Sequence, residues 1–212
     1  MVETNVNIDI DSNSFAIKEY NRYKINSVKS QIVIATSLRK KNYDLVHLQH
    51  KEIGRTKTWN TFSIDREGKI LQHYDDKYHT DFLGIKAGDK QSISIVLQNM
   101  GSLYKLPDNT YVNWLNEKCE SDRVIEKKWL GYKYWEIFDE NQINALAELC
   151  SYLCEKHNIP KEVIDFRHYH KEIHKYRGIV FRSNYIEDSS DINPLINLNK
   201  LNELINRKEH ER

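Results

Sequence analysis

A mixed α/β fold, in which helices flank one central β-sheet, is predicted by three features of this sequence. Gln31-Ile-Val-Ile-Ala-Thr-Ser37 and Ser92-Ile-Ser-Ile-Val-Leu-Gln-Asn99 are short β-branched runs of the kind that fill the middle of a sheet. Ser63-Ile-Asp-Arg-Glu-Gly-Lys-Ile70 reads as a hairpin, with Gly68 where a tight turn needs positive φ. Glu140 to Lys156 lines up Ile143, Leu146, Ala147, Cys150, Leu153 and Cys154 on one helical face. Strands alternating with helices build a sheet covered by helices.

In chain order, residues 1–30 alternate weakly in hydropathy and read as an extended arm with a possible edge strand; residues 31–212 form one domain. After the first central strand, Leu38 to Ile53 is imperfectly helical and stops at Gly54. Thr58 to Ile64 is strand-like, and Lys69 to Tyr74 returns as its partner. In Ser92 to Asn99, alternation puts Ile93, Ile95 and Leu97 on one face and Ser94, Val96 and Gln98 on the other. Gly101 to Phe138 reads as irregular and rich in aromatic rings, covering a core edge or forming a binding platform. Asp139 and Gln142 have the spacing of a capping box for the long helix, and Asn158-Ile-Pro160 ends it. A last helix spans about Leu195 to Arg207, with Leu198, Leu201, Leu204 and Ile205 inward and Pro194 just before it.

The composition removes several classes of function. Net charge is +1, from 32 basic and 31 acidic residues, so no broad basic face for nucleic acid is expected. Met1 to Ser14 lacks the pattern of a signal peptide, and no apolar run is long enough to span a bilayer. The expected location is therefore cytoplasmic or virion-associated, without a membrane partner. Three cysteines, Cys119, Cys150 and Cys154, argue against a disulfide framework; the last two, one helical turn apart, read as small core residues.

There is no phosphate-binding glycine loop, dinucleotide fingerprint, nucleophile elbow or His-Glu-x-x-His motif. The nearest approach to a metal cluster is Arg167-His-Tyr-His-Lys-Glu-Ile-His174, whose histidines read first as surface residues. His47 and His50 read the same way.

Thr58-Trp-Asn-Thr-Phe-Ser-Ile-Asp-Arg-Glu-Gly-Lys-Ile70 resembles the "Ser-Tyr/Trp-His-Phe-x-Ile-Asp-x-Asp-Gly-x-Ile" segment of zinc-dependent N-acetylmuramoyl-L-alanine amidases. This family includes AmpD-like enzymes, amidase-type phage lysozymes and peptidoglycan recognition proteins. Further stretches follow in family order: Tyr78-His79, Ser92 to Leu97, Phe138 to Gln142 with its helix, and Ser190-Asp-Ile-Asn-Pro194. Arg177 to Tyr185 and the Trp129 to Trp135 insert are most similar to versions from Bacteroidetes and their phages.

The resemblance implies specific site positions. The first zinc ligand, a His ending the first strand, falls on Ala35 or Thr36. The second, a His after the long helix, falls on Phe166 in an ungapped reading and on His168 after a two-residue slip. The third, an Asp or Cys, matches Asp191. The catalytic Glu of many members falls on Val96, and the Tyr or His of the hairpin strand on Trp59 or Asn60. His79 corresponds to a groove residue. The implied candidates are therefore Trp59, Asn60 and His79 for substrate and His168 and Asp191 for metal. A catalytic zinc needs three protein ligands and an open position. The expectation is therefore a zinc-free, non-catalytic module that binds peptidoglycan fragments or serves a virion as a structural or interaction part. The alternative is an active amidase that cleaves the lactyl–L-Ala amide. It would use zinc held by His168, Asp191 and a third ligand, with His79 polarising the carbonyl.

Overall fold

The computed structural model describes residues 6–10, 22–40, 58–187 and 192–207. Two sheets organise them. The larger has strands β1 (Ile8–Ile10), β2 (Gln31–Thr36), β3 (Phe62–Ile64), β4 (Ile70–Gln72), β5 (Ser92–Leu97) and β11 (Gly178–Phe181), in the spatial order β1-β4-β3-β5-β2-β11. The central neighbours β11, β2, β5 and β3 are parallel, and only the β3–β4 hairpin is antiparallel. Both β-branched runs are buried along their whole length, as strands covered on two faces must be.

Period-two alternation divides the two faces. Ile32, Ile34, Ile93, Ile95, Phe62 and Ile64 point to one side. There they pack under α2 (Glu140–His157) and α4 (Leu198–Asn206), with Leu146, Leu149, Cys150 and Leu153 supplied by α2. Val33 and Val180 point to the other side, against Leu83, Ile173 and Tyr185. Beside this second face lie the short helices α1 (Lys86–Gln91), whose Gly88 lies close to the Tyr185 ring, and α3 (Arg182–Tyr185).

The hairpin turns at Asp65–Gly68. Gly68 has φ +88°, and a Cβ there would lie 2.7 Å from the Asn141 carbonyl oxygen, so the glycine is needed for both reasons. The N-terminal segment is tied in as well: β1 pairs with β4, and buried Lys29 donates to the carbonyls of Tyr78, Lys90 and Ser92.

Three expectations change. The segment from 101 to 138 is not irregular. It holds a five-stranded sheet, β8-β7-β6-β10-β9, made of β6 (Ser102–Lys105), β7 (Tyr111–Val112), β8 (Lys118–Cys119), β9 (Val124–Trp129) and β10 (Tyr132–Glu136). Its strands are short and mostly half-exposed, so they lack apolar runs. Ring pairs such as Tyr111–Tyr134 and Tyr104–Tyr132 join them. The capping box is also absent: Asp139 pairs with Arg123 (2.7 Å), and Gln142 donates to the Ile64 and Gln98 carbonyls, bridging the ends of β3 and β5. An arginine partner outweighs a backbone N–H for the carboxylate. The last helix starts at Leu198 with Asn197 as its cap, not near Pro194. The helix expected over Leu38–Ile53, with His47 and His50, falls largely on residues 41–57, outside the described residues. Asn158, in the left-handed conformation, ends α2 as expected.

Glu136 fastens the second sheet to the first. It is almost fully buried, receives Arg66 (3.0 Å) and Arg123 (3.1 Å), and accepts from the Met100 N–H.

Candidate ligand-binding cleft

A cleft of about 250 Å³ opens where the parallel strands end. Such ends are the usual place for ligands in sheets of this kind. Ala35 and Thr36 end β2, and Ser37 and Leu38 continue the wall. Val96 faces Ala35 across the β2–β5 register. Thr58, Trp59 and Asn60 close the cleft from the segment leading into β3, and Phe82 from the loop before α1.

The remaining wall residue is Arg182. Its position follows from the parallel register of β11 and β2, in which Phe181 pairs with Ile34. Arg182 follows Phe181 directly and opens α3, so it comes to the cleft near the end of β2. Its guanidinium lies over the Phe82 ring, 5.4 Å from the centroid.

The sequence candidates separate. Trp59 and Asn60 line this cleft. The Asn60 amide nitrogen is committed inward, to the Phe62 carbonyl (2.6 Å) and Ser63 Oγ (2.9 Å); Ser63 Oγ lies 2.8 Å from His73 Nε2. Trp59 sets its ring edge to face with His73, and its indole N–H is buried without a hydrogen-bond partner. A donor left in that condition costs about 1–3 kcal/mol.

His79 lies elsewhere, 5% exposed and stacked on Tyr23 at 4.8 Å. Burial lowers its pKa below the ordinary imidazole value, and the nearby Lys29 charge adds to this. His168 is exposed and lines a different cleft of about 230 Å³, with Trp129, Tyr169 and Ser183. Phe166 is in the core, edge to face with Trp129 and Phe181. Asp191 lies outside the described residues.

The zinc fit can be tested on the donor atoms present. Ala35 and Val96 carry none, Thr36 offers a neutral hydroxyl, and Arg182 is a permanent cation without a lone pair to give. Among the described residues, no three His, Cys, Asp or Glu side chains converge in a way that could hold a metal. The described walls of this cleft offer no ligand set for zinc.

The fold and cleft define an α/β domain of the amidase and peptidoglycan-recognition type. The sequence pattern of the N-acetylmuramoyl-L-alanine amidase family matches residues 26–178, most of the chain, and the protein belongs to that family. Comparison with curated proteins gives no match. Among solved structures, it is similar to the N-acetylmuramoyl-L-alanine amidase LysC from Clostridium intestinale URNW, with 14% identity, TM-score 0.54, and 95% of this chain and 99% of that one covered. A mutant endolysin from Bacillus subtilis gives 16%, 0.53, 94% and 99%. The amidase AmiD from E. coli, solved with anhydro-N-acetylmuramic acid-L-Ala-D-gamma-Glu-L-Lys, gives 16%, 0.53, 85% and 59%. At these identities the structures share the fold.

Proposed function

We propose that this chain binds peptidoglycan fragments in the cleft at the end of β2 and does not hydrolyse them. The carrying observation is the lining of that cleft, where Ala35 and Val96 bring no metal-ligating atom and Arg182 is the charged wall residue. Family membership and the AmiD complex support a cell-wall fragment as ligand. Arg182 lines the first cleft and Ser183 the second, so a fragment could extend from one to the other. The second cleft offers Trp129 and Tyr169 as surfaces for sugar rings.

Without a metal, neither cleft supplies a nucleophile fit for an amide at neutral pH. Ser63 Oγ lies 2.8 Å from His73 Nε2, but the two residues line neither cleft, are both at most 4% exposed, and Ser63 already accepts from Asn60.

Purified muropeptides, titrated into the protein with and without added zinc, test this reading. The expected outcome is saturable binding with no release of free peptide. Release of peptide at any zinc level favours the active amidase that uses His168 and Asp191. Absence of binding favours a protein-interaction role, such as a virion part.

A further inference from the structure

We propose that the second sheet shapes the cleft at the end of β2 by holding Leu38 in a left-handed turn, and that Trp114 is the positioning residue for that turn. The inference rests on the peptidoglycan-binding reading above. It adds which part of the chain sets the form of the binding wall.

Leu38 lines the cleft two residues after β2 ends, and its φ is +56°. That conformation is strained for a leucine and unstrained for a glycine. Such a residue persists only where its surroundings over-determine it, and these places gather at ligand sites. Here the hold comes from the second sheet. The Leu38 carbonyl accepts from the Trp114 indole N–H (3.0 Å) and from the Asn113 side-chain amide (3.2 Å), both in the turn between β7 and β8. The Leu38 side chain lies against Gly101, just before β6, where a Cβ would come within 2.5 Å of Leu38 Cδ2. The next two residues are fixed as well. The Arg39 N–H donates to the Asn99 carbonyl (3.1 Å), and the Lys40 N–H donates to Glu117 Oε2 (3.0 Å).

The turn that supplies these donors is itself braced. Asn113 is buried, and its side-chain oxygen accepts from the N–H groups of Leu115 and Glu117. Its amide nitrogen also donates to Glu117 Oε2 (2.7 Å). Trp114 is different: it is 56% exposed, so core burial does not account for an indole at this position. Its contacts point to the strand end instead, through the bond to Leu38 and the Arg39 guanidinium 5.8 Å from its ring centroid. Among the described residues, the second sheet gives the cleft no lining side chain. Its influence on the cleft runs through Leu38.

Titration calorimetry with purified muropeptides and amide hydrogen exchange, both on the full chain, compare the wild type with three variants. These are Trp114→Phe, which keeps a ring and removes the N–H, Leu38→Gly, and the two combined. Trp114→Phe is expected to weaken muropeptide binding about fivefold, the size of one lost hydrogen bond. It is expected to speed exchange at the Arg39 and Lys40 amides about tenfold while the β2 amides stay protected. In the Leu38→Gly background the same substitution should change affinity by less than about twofold, because glycine adopts the turn without the hold. A general structural role for Trp114 predicts equal losses in both backgrounds. Unchanged affinity or exchange in Trp114→Phe, equal losses in both backgrounds, or loss of the fold in Trp114→Phe would overturn the inference. If the wild type binds no muropeptide, the reading beneath falls and exchange decides this inference alone. Faster Arg39 and Lys40 exchange in Trp114→Phe, with a smaller change in the Leu38→Gly background, then supports it, and any other pattern overturns it.

Discussion

The two faces of the central sheet use the same strands to different ends. Toward α2, Ile32, Ile34, Ile93, Ile95, Phe62 and Ile64 form a fully buried apolar layer. On the opposite face, Ala35, Val96 and Ser63 stand side by side in register, and a cleft opens beside them. The first face depends on volume and pattern, which any similar set of apolar side chains supplies. The second depends on particular donor atoms, and a single exchange there changes its chemistry without disturbing the sheet. A fold of this kind can therefore persist while the side chains at its strand ends change.

Substitution should separate the two faces. Leu146→Ala, at the centre of the apolar layer, is expected to cost about 2–5 kcal/mol of stability in denaturant unfolding. Ala35→Ser, on the cleft face, should cost much less; a comparable loss would mean the cleft wall is part of the core. Glu136→Gln tests the joint between the sheets. It leaves Arg66 and Arg123 without their shared carboxylate and should cost about 3 kcal/mol. A loss below 1 kcal/mol would show that the second sheet is held mainly by packing. Gly68→Ala, at φ +88° and against Asn141, should cost more than about 1 kcal/mol in the same measurement.

A further effect concerns pH. Burial raises the Asp89 pKa to about 6, although its carboxylate accepts from the Leu83 N–H. Between about pH 4 and pH 6 the folded state therefore holds more protons than the unfolded chain, so this group makes stability fall as pH rises. The slope is on the order of 1 kcal/mol per pH unit. Asp89→Asn should flatten that part of a stability profile, and an unchanged slope would assign it to other groups.

Much of the fold was legible because burial leaves a pattern. Gln31–Ser37 and Ser92–Asn99 are rich in β-branched residues, and α2 shows its stripe. The second sheet left no such trace, since its strands are short and outwardly polar, with burial concentrated at positions such as Leu103 and Trp135. The resemblance to the amidase family singled out Ala35, Val96, Trp59 and Asn60, and all four line the cleft. Arg182 could not, because it reaches the cleft through a parallel pairing of strands roughly 150 residues apart, which local spacing does not encode.

The measurement closest to the central claim is the zinc content of the purified protein after equilibration with the metal and removal of excess. The account predicts much less than one zinc per chain in the wild type. One tightly held zinc per wild-type chain would contradict it.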